Sequence, residues 1–223
     1  MDCKREKPVN WVLSNEFIDF IKKALEDKVE IAGKILFKDE KNCNTSVCKL
    51  SKKSTTYKTN RGNKNSVATP NGIINFHTHP RKCYIDANTI YGWPSGEDID
   101  QCVEFARNGN LIHIVFALEG AYVIRVNEII KKKDSIIVKR ILQHTHEFRS
   151  PNPEEQNWKF NNMISILKLQ KQPDPVETWK NLVNNLSLKN IYKLSNELLK
   201  SRLTIPNDNT KVFSVKLVEY RKN

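Results

Sequence analysis

GIINFHTHP, residues 72–80 of this 223-residue chain, is a short apolar stretch that ends in two histidines. Its composition predicts a strand that runs into His77, with His79 two residues further on. Side chains at positions i and i+2 of a strand point to the same face, so both imidazoles can reach one ion. A carboxylate from the next helix would complete the ligand set and leave the fourth position of a tetrahedral zinc ion open for water. The stretch therefore offers a metal site of the catalytic type, and ordinary surface histidines are the alternative.

The candidate carboxylate is Asp98, at the start of the helix that is predicted after Pro94. Ser95 and Asp98 also have the spacing of an N-capping box, in which each residue bonds the backbone of the other. Capping alone would explain why both residues are present. The two roles are compatible, because a carboxylate has two oxygen atoms.

A second acidic candidate, Glu30, lies near the start of a strand predicted at residues 29–37, where apolar residues recur at every second position. A glutamate buried there without a partner would be costly, so its presence indicates a possible function. On the strand pattern alone, we favour the alternative that the alternation points Glu30 to solvent.

Three motifs on this framework resemble the signature of the JAMM/MPN family of zinc metalloproteases. They are Glu30-x-x-Gly33 on a strand, His77-x-His79-Pro80 at a strand end and Ser95-x-x-Asp98 at the start of a helix. The order of the predicted elements also agrees with the family over residues 12–146: a helix, the acid-bearing strand, the histidine strand, a helix and further strands. The resemblance implies a mixed, curved β-sheet flanked by helices.

The resemblance also implies a role for each motif residue. His77, His79 and Asp98 would bind zinc together with a water molecule. Glu30 would act as general base and acid, and the hydroxyl of Ser95 would help to hold the oxyanion. The implied activity is hydrolysis of isopeptide bonds, with conjugates of ubiquitin or a ubiquitin-like modifier as protein substrates.

Two other classes of function remain open. One is a catalytically silent MPN-like interaction module whose basic flanks bind an acidic partner. The other is a nucleic-acid-binding protein in which the histidines are incidental. Zinc binding and amide cleavage would separate these three hypotheses.

The spacing between the second and third motifs is longer than is usual in the family, since 18 residues separate His79 from Asp98. We interpret residues 80–94 as an insertion loop that recognises the substrate. The longer spacing also makes Asp86 and Asp100 alternative metal ligands. We retain Asp98, because it alone lies both in the first turn of the helix and three residues after a serine.

The chain is expected to contain an α+β domain and a mostly helical extension. The mixture of helices and strands over 12–146, without the regular alternation of α/β folds, indicates the α+β class. The resemblance implies that residues 1–149 form a JAMM/MPN-like catalytic domain. Within it, 51–71 and 80–94 are predicted insertion loops, since 51–71 has almost nothing to bury. Residues 150–223 are predicted to be helical apart from a final strand at 212–220, which could close the main sheet. The other predicted elements are a helix at 15–27 with Ser14 as N-cap, strands at 47–50, 111–118, 121–126 and 135–142, a helix that ends at Asn108-Gly109, and helices at 154–170, 176–187 and 188–202.

Composition limits the partners and the compartment. The net charge is +12, and no apolar run reaches the roughly 18 residues of a membrane span, so we expect no membrane partner. Five cysteines form an odd, scattered set rather than a disulfide framework. We therefore expect a reducing intracellular compartment, the cytoplasm or nucleus, including that of a virus-infected cell.

The segment at residues 41–66 contains basic residues and no acidic one. Its seven basic residues are Lys41, Lys49, Lys52, Lys53, Lys58, Arg61 and Lys64. Such a segment could bind nucleic acid or an acidic protein. We favour a solvated surface loop, because Tyr57 is its one aromatic residue that could stack on a base.

Three further histidines have separate interpretations. His144 and His146 form a second H-x-H pair, which could bind a structural zinc ion with Cys83. Ordinary surface histidines are the alternative for this pair. His113 lies in an apolar predicted strand and is interpreted as a core or half-buried residue.

Overall fold

The computed structural model describes residues 13–37, 55–62, 67–127, 169–190 and 208–220. Six strands within these ranges form one mixed sheet, and helices pack on it, which is the predicted α+β class. The helices are α1 (Asn15–Leu25), α2 (Arg81–Asp86), α3 (Gly96–Arg107) and α4 (Pro175–Asn184). The strands are β1 (Ile31–Phe37), β2 (Thr55–Arg61), β3 (Ile74–Thr78), β4 (Ile112–Phe116), β5 (Ala121–Val126) and β6 (Phe213–Val218).

The sheet has the strand order β2-β1-β3-β4-β5-β6. The central strands β3 and β4 are parallel, and all other neighbours are antiparallel. Every residue of β3 and β4 is buried, because both faces of these strands are covered. Polar side chains in these strands therefore need partners inside the protein.

Helix α1 covers one face of the sheet. Its N-cap is Ser14, whose Oγ accepts a hydrogen bond from the backbone N–H of Phe17 at 3.2 Å, as the sequence predicts. Phe17 and Ile21 pack on Ile74 and Phe76 of β3 in one apolar cluster. Because side chains alternate along β3, the residues between and after these two point to the other face.

Helices α3 and α4 contribute to the apolar cluster on the other face. Ile99 of α3 and Trp179 of α4 belong to the same buried cluster as Tyr122 of β5. The last strand, β6, pairs antiparallel with β5 along its whole length, so it closes the main sheet at one edge. This resolves the alternative that the sequence left open for the C-terminal strand.

Two of the predicted loops contain regular structure. Strand β2 lies inside the segment predicted as a loop at 51–71, and it pairs with all of β1. The loop prediction was wrong there because the backbone of this polar segment pairs with β1 at the edge of the sheet. The ring of Tyr57 also packs on α1, with its centroid 5.1 Å from that of Phe17 and 4.8 Å from that of Phe20. The segment at 80–94 is irregular apart from the short helix α2.

Several predicted elements lie outside the described residues: the strands at 47–50 and 135–142, and most of the helices at 154–170 and 188–202. The same is true of His144 and His146 and of most of the basic segment 41–66. In the part of the chain that the structure describes, none of the helices combines the length and the apolar character needed to cross a membrane.

Candidate metal centre

His77 and His79 lie at the end of β3, where the chain leaves the sheet. His77 is the fourth residue of β3 and is 4% exposed. The backbone N–H of His79 donates to the carbonyl of Phe116 at 2.8 Å, so the pairing with β4 continues past the strand end. The backbone therefore stays extended as far as His79, which places both imidazoles on one face, as predicted. Their Nε2 atoms are 3.1 Å apart.

Asp98 reaches the two histidines from the first turn of α3. Its Oδ2 accepts hydrogen bonds from the backbone N–H of Ser95 at 2.7 Å and from the Ser95 hydroxyl at 2.8 Å. The N–H of Asp98 donates to the Ser95 hydroxyl at 3.2 Å, which completes the predicted capping box. Its Oδ1 lies 3.2 Å from Nε2 of His77. Oδ1 therefore faces His77, whereas Oδ2 both caps the helix and lies 3.5 Å from Nε2 of His79.

The three side chains can share one metal ion. Among the described residues, His77, His79 and Asp98 form a group whose candidate ligand atoms all lie within 4.8 Å of one another. The separations are 3.1 Å between the imidazoles, 3.2 Å from Asp98 to His77 and 3.5 Å from Asp98 to His79. Ligand bonds of about 2.0–2.1 Å at tetrahedral angles separate donor atoms by about 3.3 Å. The three side chains are therefore close enough to hold one divalent cation.

The charges in the group are strongly coupled. Burial lowers the pKa of His79, but the hydrogen bond to Asp98 and the charges of Asp98 and Glu30 outweigh burial and raise that pKa to about 9. Burial raises the pKa of Asp98, but His77 and His79 outweigh it and hold this pKa well below its usual range. Without a metal ion, the group thus keeps a carboxylate next to a protonated imidazole. A bound cation would replace that proton.

Glu30 lies immediately before β1, beside this group. The N–H of Ile31 donates to Oγ1 of Thr78 at 3.0 Å, which joins the start of β1 to the end of β3. Oε1 of Glu30 is 3.6 Å from the Sγ of Cys83, which donates to it. Burial and Glu30 raise the pKa of the Cys83 thiol to about 12, so it donates as a neutral thiol. Glu30 is half-buried and contacts the segment after β3, and it is not a member of the three-residue ligand group.

The aspartate that lies with the two histidines is Asp98. Asp86, one of the two alternatives that the spacing left open, is exposed at the end of α2 and pairs with Lys82. Asp100 lies two residues beyond Asp98 on α3 and is not in the ligand group found among the described residues.

The second nitrogen of His77 contacts another histidine. Nδ1 of His77 lies 2.9 Å from Nε2 of His113, on the neighbouring strand β4. Nδ1 of His113 lies 2.8 Å from Oδ1 of Asn75, and His113 is 1% exposed. Burial holds the pKa of His113 well below its usual range, so this ring is neutral. The sequence correctly predicts a core position for His113 but gives no sign of this contact.

The second nitrogen of His79 is held by the backbone of the 80–94 segment. Nδ1 of His79 donates to the carbonyl of Gly92 at 2.9 Å. The N–H of Gly92 donates to Glu119 at 2.8 Å, and the hydroxyls of Tyr84 and Tyr122 donate to the same carboxylate at 2.5 and 2.7 Å. A Cβ at Gly92 would collide with the phenol of Tyr84. Position 92 therefore requires glycine, because its backbone passes close to the ring of Tyr84.

Comparison with known proteins adds little to these observations. No protein-family model matches the chain, and no solved structure matches it. A stretch of 62 residues, 28% of the chain, is 37% identical to the protein named "Uncharacterized protein 3R" of Frog virus 3 (isolate Goorha). The match spans 14% of the length of that viral protein.

Proposed function

We propose that the chain is a zinc-dependent hydrolase that cleaves isopeptide bonds. The observation that supports this most strongly is the group of His77, His79 and Asp98, whose candidate ligand atoms all lie within 4.8 Å of one another. Two imidazoles and a carboxylate suit zinc and leave a coordination position for water or substrate. When bound, zinc supplies Lewis acidity, which lowers the pKa of water to about 7 and stabilises negative charge on a carbonyl oxygen.

Glu30 is the proposed proton carrier. Its carboxylate lies beside the ligand group without belonging to it, and a neutral thiol donates to it. In this position it would accept a proton from the attacking water and return it to the leaving amine. Proton transfer by a positioned side chain accelerates such reactions by about 10²–10⁴-fold.

The hydroxyl of Ser95 is the proposed donor to the oxyanion. It now donates to Oδ2 of Asp98, and the backbone N–H of Ser95 donates to the same oxygen. The hydroxyl can therefore turn towards a substrate while the N–H continues to hold the carboxylate. A donor of this kind stabilises the transition state by about 3 kcal/mol in other enzymes.

The proposed substrates are conjugates of ubiquitin or a ubiquitin-like modifier, and this part rests on the motif resemblance. The leaving group would be the ε-amine of a lysine. The segment that carries Gly92 is suited to contact a protein substrate, because it lies next to the ligand group and exposes Ile85 and Ile90, which are 68% and 70% accessible.

Zinc content and cleavage test the proposal together. We expect about one zinc per full-length chain by elemental analysis, lost in a His77→Ala/His79→Ala variant. The protein should cleave members of a panel of differently linked di-ubiquitins. Glu30→Gln should retain zinc and lose at least about 100-fold in rate. Glu16→Gln, on the exposed first turn of α1, is the matched control and should cleave at the normal rate.

Each negative result has a defined meaning. A wild-type protein that binds no zinc would exclude the hydrolase. A protein that binds zinc but cleaves none of the conjugates, nor a linear amide control, would favour the alternative of a catalytically silent interaction module with basic flanks.

A further inference from the structure

We propose that His113 is a positioning residue for the metal centre: it keeps the ring proton of His77 on Nδ1, so that Nε2 offers its lone pair to the ion. This inference rests on the proposed function, because it treats His77 as a metal ligand. It goes beyond that function by assigning a role to buried side chains that do not touch the ion.

The two nitrogens of His77 face different surroundings. Nε2 lies 3.1 Å from Nε2 of His79 and 3.2 Å from Oδ1 of Asp98, on the side where a metal ion would bind. Nδ1 lies 2.9 Å from Nε2 of His113 inside the sheet. For Nε2 to bind a metal ion, the proton of the neutral ring must be on Nδ1, and His113 must accept it.

The direction of the hydrogen bond between His77 and His113 follows from the contacts of Asn110, which is linked to His113 through Asn75. Nδ2 of Asn110 lies 2.8 Å from the carbonyl of Gly72 and 3.0 Å from the carbonyl of Ile112. Carbonyl oxygens only accept, so this atom must be the amide nitrogen. It also lies 2.9 Å from Asn75, and the atom of Asn75 that it contacts must therefore be the oxygen, Oδ1.

Each following contact then has one possible direction. Oδ1 of Asn75 accepts, so Nδ1 of His113, at 2.8 Å, carries the proton. A neutral His113 with its proton on Nδ1 has a lone pair on Nε2. That lone pair accepts from Nδ1 of His77, which leaves Nε2 of His77 free of hydrogen. Backbone carbonyls thus fix the tautomer of a metal ligand through Asn110, Asn75 and His113.

The surroundings of this chain of contacts make it rigid. Asn75, His113 and Asn110 are 0%, 1% and 5% exposed, so water does not compete for these hydrogen bonds. The parallel pairing of β3 and β4 places Asn75 opposite His113. Outer partners of metal-bound histidines typically change metal affinity by about 10–100-fold when they are removed.

The first test is made on the wild-type protein without metal. Long-range ¹H–¹⁵N spectra at pH 7 should show His77 protonated on Nδ1, with a coupling across the hydrogen bond to Nε2 of His113. His77 protonated on Nε2 would overturn the inference. This measurement needs no zinc, so its outcome is separate from that of the proposed function.

The second test compares two substitutions at one position. His113→Phe removes the acceptor, and zinc affinity in a chelator-buffered titration should fall about 10–100-fold. His113→Gln can place an amide oxygen near the former Nε2 and should recover most of the affinity. Ile124→Ala, opposite His113 on β5, is the packing control: it should lower the melting temperature and leave zinc affinity unchanged.

The pattern of results separates the explanations. Equal zinc affinity in His113→Phe and wild type would contradict a positioning role. Equal losses in His113→Phe, His113→Gln and Ile124→Ala would also contradict it, because they would indicate general destabilisation. Absence of zinc from the wild type would reject the proposed function, whereas the spectrum of the metal-free protein would still decide the tautomer.

Discussion

The two histidines of the candidate metal centre are held by different means. His77 is held from inside the sheet by the side chains of His113 and Asn75. His79 is held from outside the sheet by the backbone carbonyl of Gly92. Both arrangements leave Nε2 facing Asp98.

The hydrogen-bond partners of His77 and His79 can therefore be removed by different kinds of substitution. The support of His77 is encoded in two buried polar side chains, so one substitution can remove it. No side-chain substitution can delete the carbonyl that holds His79, because it belongs to the backbone. That carbonyl depends instead on Glu119, which accepts hydrogen bonds from Gly92, Tyr84 and Tyr122. The support of His79 is therefore a property of the folded segment as a whole.

The largest expected effect comes from removing the anchor of this segment. Glu119→Ala leaves the N–H of Gly92 and two hydroxyls without their acceptor, and we expect a loss of about 2–4 kcal/mol in the free energy of unfolding. Thermal and urea unfolding of the metal-free protein measure it. Glu16→Ala, on exposed α1, is the control and should cost less than about 1 kcal/mol. A loss at Glu119 as small as in this control would contradict the anchoring role.

The next expected effect is a pH dependence of zinc affinity, which comes from the proton on His79. His79 has a pKa of about 9, above its ordinary 6.5, so zinc must displace a proton below pH 9. Zinc affinity should therefore rise about tenfold per pH unit between pH 7 and 9 and level off above that range. Competition with a chelator at each pH measures this. An affinity independent of pH would show that no proton is displaced.

The same pKa shift affects stability without metal. Because the pKa of folded His79 is raised, its stabilising contribution is fully present below pH 6.5 and is lost as the pH rises through about 9. Asp98→Asn removes the carboxylate that raises the pKa of His79 most strongly, so the NMR titration midpoint of His79 should fall. An unchanged midpoint would contradict this assignment.

The smallest expected effect on stability comes from the cap of α3, the helix that carries Asp98. Ser95→Ala removes the hydroxyl that caps α3, and we expect a loss of about 1 kcal/mol in the free energy of unfolding. Zinc affinity should change only a few-fold, because the backbone N–H at position 95 still bonds Oδ2 of Asp98. The rate of cleavage should fall much more than the affinity. Equal losses of affinity and rate would contradict a separate role for the hydroxyl.

Local sequence patterns predicted most elements around the site. The apolar spacing of α1, its serine cap, the H-x-H strand and the capping box of α3 each depend on residues within one element. Strands β4 and β5 were also predicted, as apolar runs at 111–118 and 121–126. These features place His77, His79 and Asp98 correctly on their elements.

The parts that were missed depend on distant partners. Strand β2 has a polar sequence and forms because β1 offers it a backbone edge. The contact between His77 and His113 requires β3 and β4 to be parallel neighbours, although 36 residues separate the two histidines. The role of Glu119 depends on where the 80–94 segment folds back. None of these pairings has a local signal in the sequence.

The most direct test is the position of a bound zinc ion. Crystals of the full-length protein grown with zinc should give an anomalous difference peak at the zinc absorption edge. We expect the peak between Nε2 of His77, Nε2 of His79 and Oδ1 of Asp98, about 2.0–2.2 Å from each. Well-ordered crystals with no peak among these three atoms, or with the only peak elsewhere, would contradict the proposed metal centre.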